Sequence, residues 1–436
     1  MTPMSESSHN PLDYAGRLTP RPLPHPLVSL RNVAGLVGVI GMALLALTLA
    51  IKGERAQAFR GLLFGFHFWI GPTLGAMAFV MISHMTGGGW GVVYRRFGEA
   101  AFTGGLPWML VVCMFLVPGY AYLFPWAHLA DFKGETEAFH VMARRLPWYS
   151  PMWFFFRQLA YFAIWGILAY QLRTGSLRLD HKADPVLRRR LRKWSAAGIV
   201  LFFVTVTSYA MDYIMSRETV WFSSILGFIS AISFSDTGVA LCTLTVCYFA
   251  LRGERERNPI SDVLSPQHLN DLGNLLLALT ILWMYTSFAQ FLIQWNGNMT
   301  SDIGYYVHRG LGQVPNGWRF VGLSLFLGHF LLPFFLLLMK GLKRKAATLA
   351  RICVWILIMR IVESLWVIAP STNSVARAGD PGSAAWTDIV AFLGVGGIWV
   401  FLYLRALASE PMLPLNATDQ PEPINHAGTH ATVVAH

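Results

Sequence analysis

Charged side chains are scarce in this chain. Asp, Glu, Lys and Arg make up only 13% of its 436 residues, whereas hydrophobic residues make up 54% and the mean hydropathy is +0.47. A soluble domain carries about twice that charge. A cytosolic enzyme, a secreted disulfide scaffold and a nucleic-acid binder are therefore excluded, despite the net charge of +11. Cysteine is scarcer still. Cys113, Cys242, Cys247 and Cys353 all lie in apolar stretches, and none forms C-x-x-C or C-x-x-C-H. That pattern excludes covalent haem, an iron–sulfur cluster and a thiol–disulfide centre of the chain's own; the four read as small buried apolar residues. The sequence also shows no apolar core ahead of the first span and no small-residue cleavage site, so no removable signal peptide is read, and it has no phosphate-loop ending and no convincing internal repeat.

What it has is long apolar runs. About ten spans of about 20 residues can be drawn from them. They fall near 33–51, 59–83, 101–123, 151–172, 195–216, 220–251, 271–295, 319–339, 346–369 and 384–407. The chain reads as an all-α, multi-pass integral membrane protein: a polar segment 1–32, a ten-helix domain 33–407 and a disordered tail 408–436. His426, His430 and His436 in that tail read as solvated or metal-binding. Lys and Arg number 20 in the N-terminal segment and even-numbered connections, against 8 in the other loops. By the positive-inside rule both termini are then cytoplasmic. Trp153, Trp221, Trp295, Trp318, Trp366 and Trp386 fall at the outer ends, as an interfacial belt would. Span six is too long at 32 residues, about 48 Å of helix against a core of about 30 Å. It must tilt, kink or extend beyond the membrane, and its weakest point is Ser233–Gly238, where polar residues and a glycine interrupt the run. The triple glycine in the inner loop 84–100 predicts a tight turn, and the loop reads as a packed cytoplasmic turn or as a proton or partner site.

Polar and ionisable residues inside spans face partners, cavities or pathways. They concentrate in the outer half: Asp212, Gln290, Arg157, Glu363, His67 and Arg360, with His329 and Asp236 near the middle. The inner half offers mostly hydroxyls, such as Thr205, Thr207, Ser208, Thr243 and Thr245. Arg360 and Glu363 are spaced to pair on one helix. Pro333 and Pro72 free the carbonyls of His329 and Phe68, which suits either a hydrated kink or a dry one. His67 and His329 are the only deep histidines that could oppose each other across a haem b.

Several of these stretches resemble a known family. SHMTGGGWGVVYRRFGEA (83–100), YAMDYIMSRETVWFSSILG (209–227), DLGNLLLALTILWMYTSFAQFLIQWNGNM (271–299), HFLLPFFLLL (329–338) and RIVESLWVIAP (360–370) are similar to the ActF membrane subunits of alternative complex III. That complex is the bacterial quinol:electron-acceptor oxidoreductase. The resemblance covers about Phe59 to Pro370. It implies an NrfD-like architecture of two four-helix bundles, spans two to five and six to nine, flanked by the first and tenth spans. It further implies a haem-free subunit in the bacterial inner (cytoplasmic) membrane that supports assembly and possible proton transfer. Its partners would be cytochrome c, iron–sulfur and second NrfD-like subunits. Quinone or quinol would belong to the complex, with no cofactor bound covalently here. On that reading His67, Asp212, His329 and Glu363 carry protons, Arg157 and Arg360 tune them, and Asp236 links the outer and inner halves. Two other readings stand beside it: a secondary transporter with a midplane site at span six, and a purely structural membrane anchor.

Overall fold

The computed structural model describes residues 23–134, 136–252, 260, 263–312, 316–370 and 385–414. Among these residues there is no strand. In hydrocarbon every backbone N–H and C=O must bond within its own segment, and a helix does that. Ten long helices result: α1 His25–Ala50, α2 Arg55–Thr86, α3 Gly89–Leu116, α4 Pro151–His181, α5 Pro185–Tyr213, α6 Leu226–Arg252, α7 Pro266–Gly297, α8 Trp318–Leu338, α9 Ala346–Ile368 and α10 Trp386–Ala408. Nine of them are long and apolar enough to cross a membrane by length and composition. The tenth, α9, matches them in length but carries Arg351, Arg360 and Glu363. Its Arg360 and Glu363 are buried against its neighbours.

Proline in the first turn starts α1, α4, α5 and α7, where its missing N–H costs nothing. The Asp184 carboxylate accepts from the Val186 N–H at 2.8 Å, and Ser265 and His268 cap α7 reciprocally. Because α1 starts at His25, the helix takes up the last residues assigned to the polar N-terminal segment. The predicted tail histidines lie outside the described residues.

Helices α2 to α5 pack as one four-helix group and α6 to α9 as a second. The pair α1 and α10 lies against α2 and α3. This is the expected arrangement of two bundles with flanking first and last helices. Apolar side chains such as Leu47, Tyr285, Ile293 and Phe320 are at least 66% exposed on the outer faces of α1, α7 and α8. Such surface is stable only against hydrocarbon or a partner.

Helix α2 is the hub and is buried along nearly all its length. It meets α6 very closely: a Cβ added at Gly75 would sit 1.8 Å from the Phe234 carbonyl oxygen, and one at Gly238 would sit 2.4 Å from the Ala76 nitrogen. Small residues allow such backbone approach between membrane helices. This corrects the reading of span six. Helix α6 runs unbroken through Ser233–Gly238, and the glycine serves a helix crossing. The excess length is taken up before the helix, where residues 218–225 form none.

The turn at Gly87 and Gly88 is as predicted, with φ of 69° and 91°, values that favour glycine. Helix α3 begins immediately after it, however, so most of the expected loop 84–100 is helical. In α8 the segment Leu325–Leu331 is a π-turn: the Leu332 N–H reaches the Leu327 carbonyl, just ahead of Pro333. A proline that cannot donate is accommodated by such a shift. The tryptophan belt is only partly realised. Trp153 and Trp386 are exposed, but Trp221 and Trp318 are buried. Trp221 donates to Gln294 at 3.1 Å and stacks on Tyr305.

Candidate functional site

The second bundle brings four predicted residues together: Asp236 from α6, His329 from the π-turn of α8, and Arg360 and Glu363 from α9. All four are at most 5% exposed. Arg360 pairs with Glu363 one turn along the same helix. The other Glu363 oxygen accepts from the Trp283 indole at 2.6 Å and the Ser233 hydroxyl at 3.0 Å. This carboxylate is therefore saturated. Arg360 also donates to Thr237 at 3.3 Å and approaches His329 Nε2 at 3.3 Å.

A guanidinium has only donors, so His329 Nε2 must accept and the ring proton sits on Nδ1. Among the described residues that Nδ1 is buried without a hydrogen-bond partner, and so are both carboxyl oxygens of Asp236. Asp236 Oδ2 lies 3.8 Å from His329 Nε2. This exceeds hydrogen-bond range, and a side-chain rotation or one water would close it. Arg360 and Glu363 cancel in charge. A protonated Asp236 beside neutral His329, and an ionised Asp236 beside a protonated ring, then carry the same net charge. One proton can pass between them without a counterion once Nε2 gives up the Arg360 donor, since its single lone pair serves one partner at a time. The Trp283 ring, 4.4 Å away and edge-on, walls His329 on one side.

The other predicted residues lie elsewhere. In the first bundle Asp212 accepts from Arg157 at 2.7 and 3.1 Å, from Gln158 at 3.1 Å and from Tyr161 at 2.9 Å. Arg157 also bonds the Trp148 carbonyl and lies over its ring at 4.4 Å. Above this pair, in the short helix Thr136–Tyr149, burial pushes the Tyr149 phenol up to about 12. Tyr149 thus stays a neutral donor, to the Met211 carbonyl at 3.3 Å. His67 bonds Tyr209 at 3.0 Å and packs on Phe234. Gln290 bonds Ser223 and Tyr306. The predicted ionisable residues therefore form separate groups.

The largest omission lies at the basic end, the side of the Gly87–Gly88 turn. Arg96 and Glu99 of α3 are at most 2% exposed and pair at 2.7 Å. Arg96 also holds Asp180 of α4, and Arg173 of α4 holds Glu99 at 2.9 Å. Buried charge is thus present at this end of the first bundle too, on residues that the sequence reading left in the connections. The signal was the Arg96–Glu99 spacing of three, legible only if these residues are helical. Arg60 and Asp388 form a second unforeseen pair, at 3.0 and 3.3 Å, joining α2 to α10. Arg309 lies over Tyr305 at 3.4 Å and reaches Glu218 at 3.5 Å.

No protein-family model matches the chain, and no curated protein does.

Proposed function

We propose that the chain is a haem-free integral membrane subunit of a bacterial respiratory quinol-oxidising complex of the alternative complex III type, and that Asp236 and His329 move protons within it. The observation that carries the proton role is Asp236 itself. It is a fully buried acid with no hydrogen bond to either oxygen among the described residues, 3.8 Å from an imidazole in the same state at its other nitrogen. A buried acid left so is costly, and such groups in membrane spans mark pathways. Glu363, by contrast, neutralises Arg360, and Asp212 neutralises Arg157. Their role is to hold helices together.

The assembly rests on the resemblance of residues 59–370 to ActF subunits. On that basis the chain sits in the cytoplasmic membrane, and the Lys and Arg excess of the even-numbered connections puts both termini inside. Cytochrome c, iron–sulfur and second NrfD-like subunits would accompany it, and the last of these would be the place of quinol oxidation. The saturated pairs Arg157–Asp212 and Arg360–Glu363 favour the structural anchor as a second reading. The transporter reading keeps a buried Asp236 but not the broken helix, since α6 is continuous.

Purification from native membranes tests the assembly. Co-purifying haem and iron–sulfur subunits are expected; the chain alone, with none, would refute it. Proton release per quinol oxidised in the reconstituted complex tests the pair. Asp236→Asn and His329→Gln should lower it while subunit content is kept. Unchanged release and rate in both fully assembled variants would leave the anchor.

A further inference from the structure

The basic end of the first bundle is closed by the chain's own C-terminal segment. After α10 the backbone leaves the helix, and residues 410–414 form no regular structure. Met412 and Leu413 are nevertheless 5% exposed and belong to the main apolar core. Beside them, the Arg173 guanidinium lies between two carboxylates: Glu99 at 2.9 Å and Glu410 at 3.3 Å. Glu99 is fully buried, whereas the Glu410 side chain is 30% exposed. Arg173 therefore joins a buried acid to the surface through one side chain.

Behind that contact are polar atoms that no described residue satisfies. Glu99 Oε1, Arg96 Nε and the Ser176 hydroxyl, together with the Ser195 hydroxyl of α5 one turn from Leu191, which packs on Gly175, are buried without a hydrogen-bond partner among the described residues. Arg173, Ser176 and Asp180 recur at spacings of three and four, so they share one face of α4. That face meets Arg96 and Glu99 of α3. Buried polar atoms are almost always paired with protein or water, and a buried water takes about three such partners. A dry ion cluster would leave all four unsatisfied.

We propose that this end of the bundle encloses a hydrated chamber around Glu99, and that residues 409–414 are its lid. The Arg173–Glu410 pair is the latch, and Met412 and Leu413 are the anchors. A partly exposed ion pair is weak, which suits a contact that must open. The chamber is separate from the Asp236 cluster and stands whether or not that cluster moves protons.

Thiol accessibility in the full-length chain tests this without turnover. Ser176→Cys is placed in native membrane fragments open on both sides and reacted with a small charged methanethiosulfonate. The wild-type chain, whose four cysteines are buried, gives the background. The new thiol should label slowly. Adding Glu410→Ala should speed it about fivefold, the value of a weak ion pair, and Met412→Ser should act in the same direction. Ser195→Cys provides a second reporter in case the first disturbs packing. A thiol that stays inert in every background, or that labels at one rate with and without Glu410, would overturn the lid.

Discussion

Replacing Glu363 by Gln separates a structural carboxylate from a proton-carrying one. Gln keeps a carbonyl that can accept from Trp283 and Ser233, now 2.6 and 3.0 Å from the carboxylate. The change therefore removes mainly the charge opposite Arg360. That arginine is 3% exposed, and its remaining contacts are Thr237 and His329, both neutral, at 3.3 Å. Stranding one partner of a buried pair costs about 3–5 kcal/mol. The nearby Asp236 can take over part of the pairing, so the lower end is expected. Asp236→Asn is the contrasting change. It breaks no hydrogen bond among the described residues, where neither oxygen accepts one, and it costs about 1–3 kcal/mol for burying an unpaired amide. Equilibrium unfolding in mixed micelles would give both values. The double variant should be worse than the sum, because Arg360 then loses both neighbouring carboxylates. A Glu363→Gln variant within about 1 kcal/mol of wild type would refute this division of roles, as would Asp236→Asn proving the costlier change.

Two further outcomes follow from the packing. Gly75→Ala should lower stability by about 3 kcal/mol, at the upper end for overpacking, because its methyl would meet backbone at 1.8 Å; unchanged unfolding would show that α2 and α6 are not so close. Arg157→Met should destabilise by about 3–5 kcal/mol by stranding Asp212, and adding Asp212→Asn should recover part of that loss; a double variant as unstable as the sum would argue against the pair.

The sequence by itself determined the class and much of the layout. A chain this poor in charge, with runs of about 20 apolar residues, has to form membrane helices, because only local hydrogen bonding satisfies a backbone in hydrocarbon. For the same local reason the glycine turn and the Arg360–Glu363 spacing could be read directly: neighbours in sequence decide both. What lay between helices could not be read. Asp212 belongs with Arg157, across 55 positions, while Asp236 belongs with His329; nothing local distinguishes the two aspartates. The Arg96–Glu99 cluster was hidden because residues 89–100 looked like a polar loop, and only burial against Arg173 and Asp180 makes them core. Ser233–Gly238 looked like a break because polar residues and a glycine interrupt an apolar run; the approach of Gly75 to Phe234 shows that it is a crossing point. Helix formation is settled within a span, whereas rotation and crossing are settled by which small residues meet. Those meetings place Asp236 and His329 side by side, and they exist only in the tertiary structure.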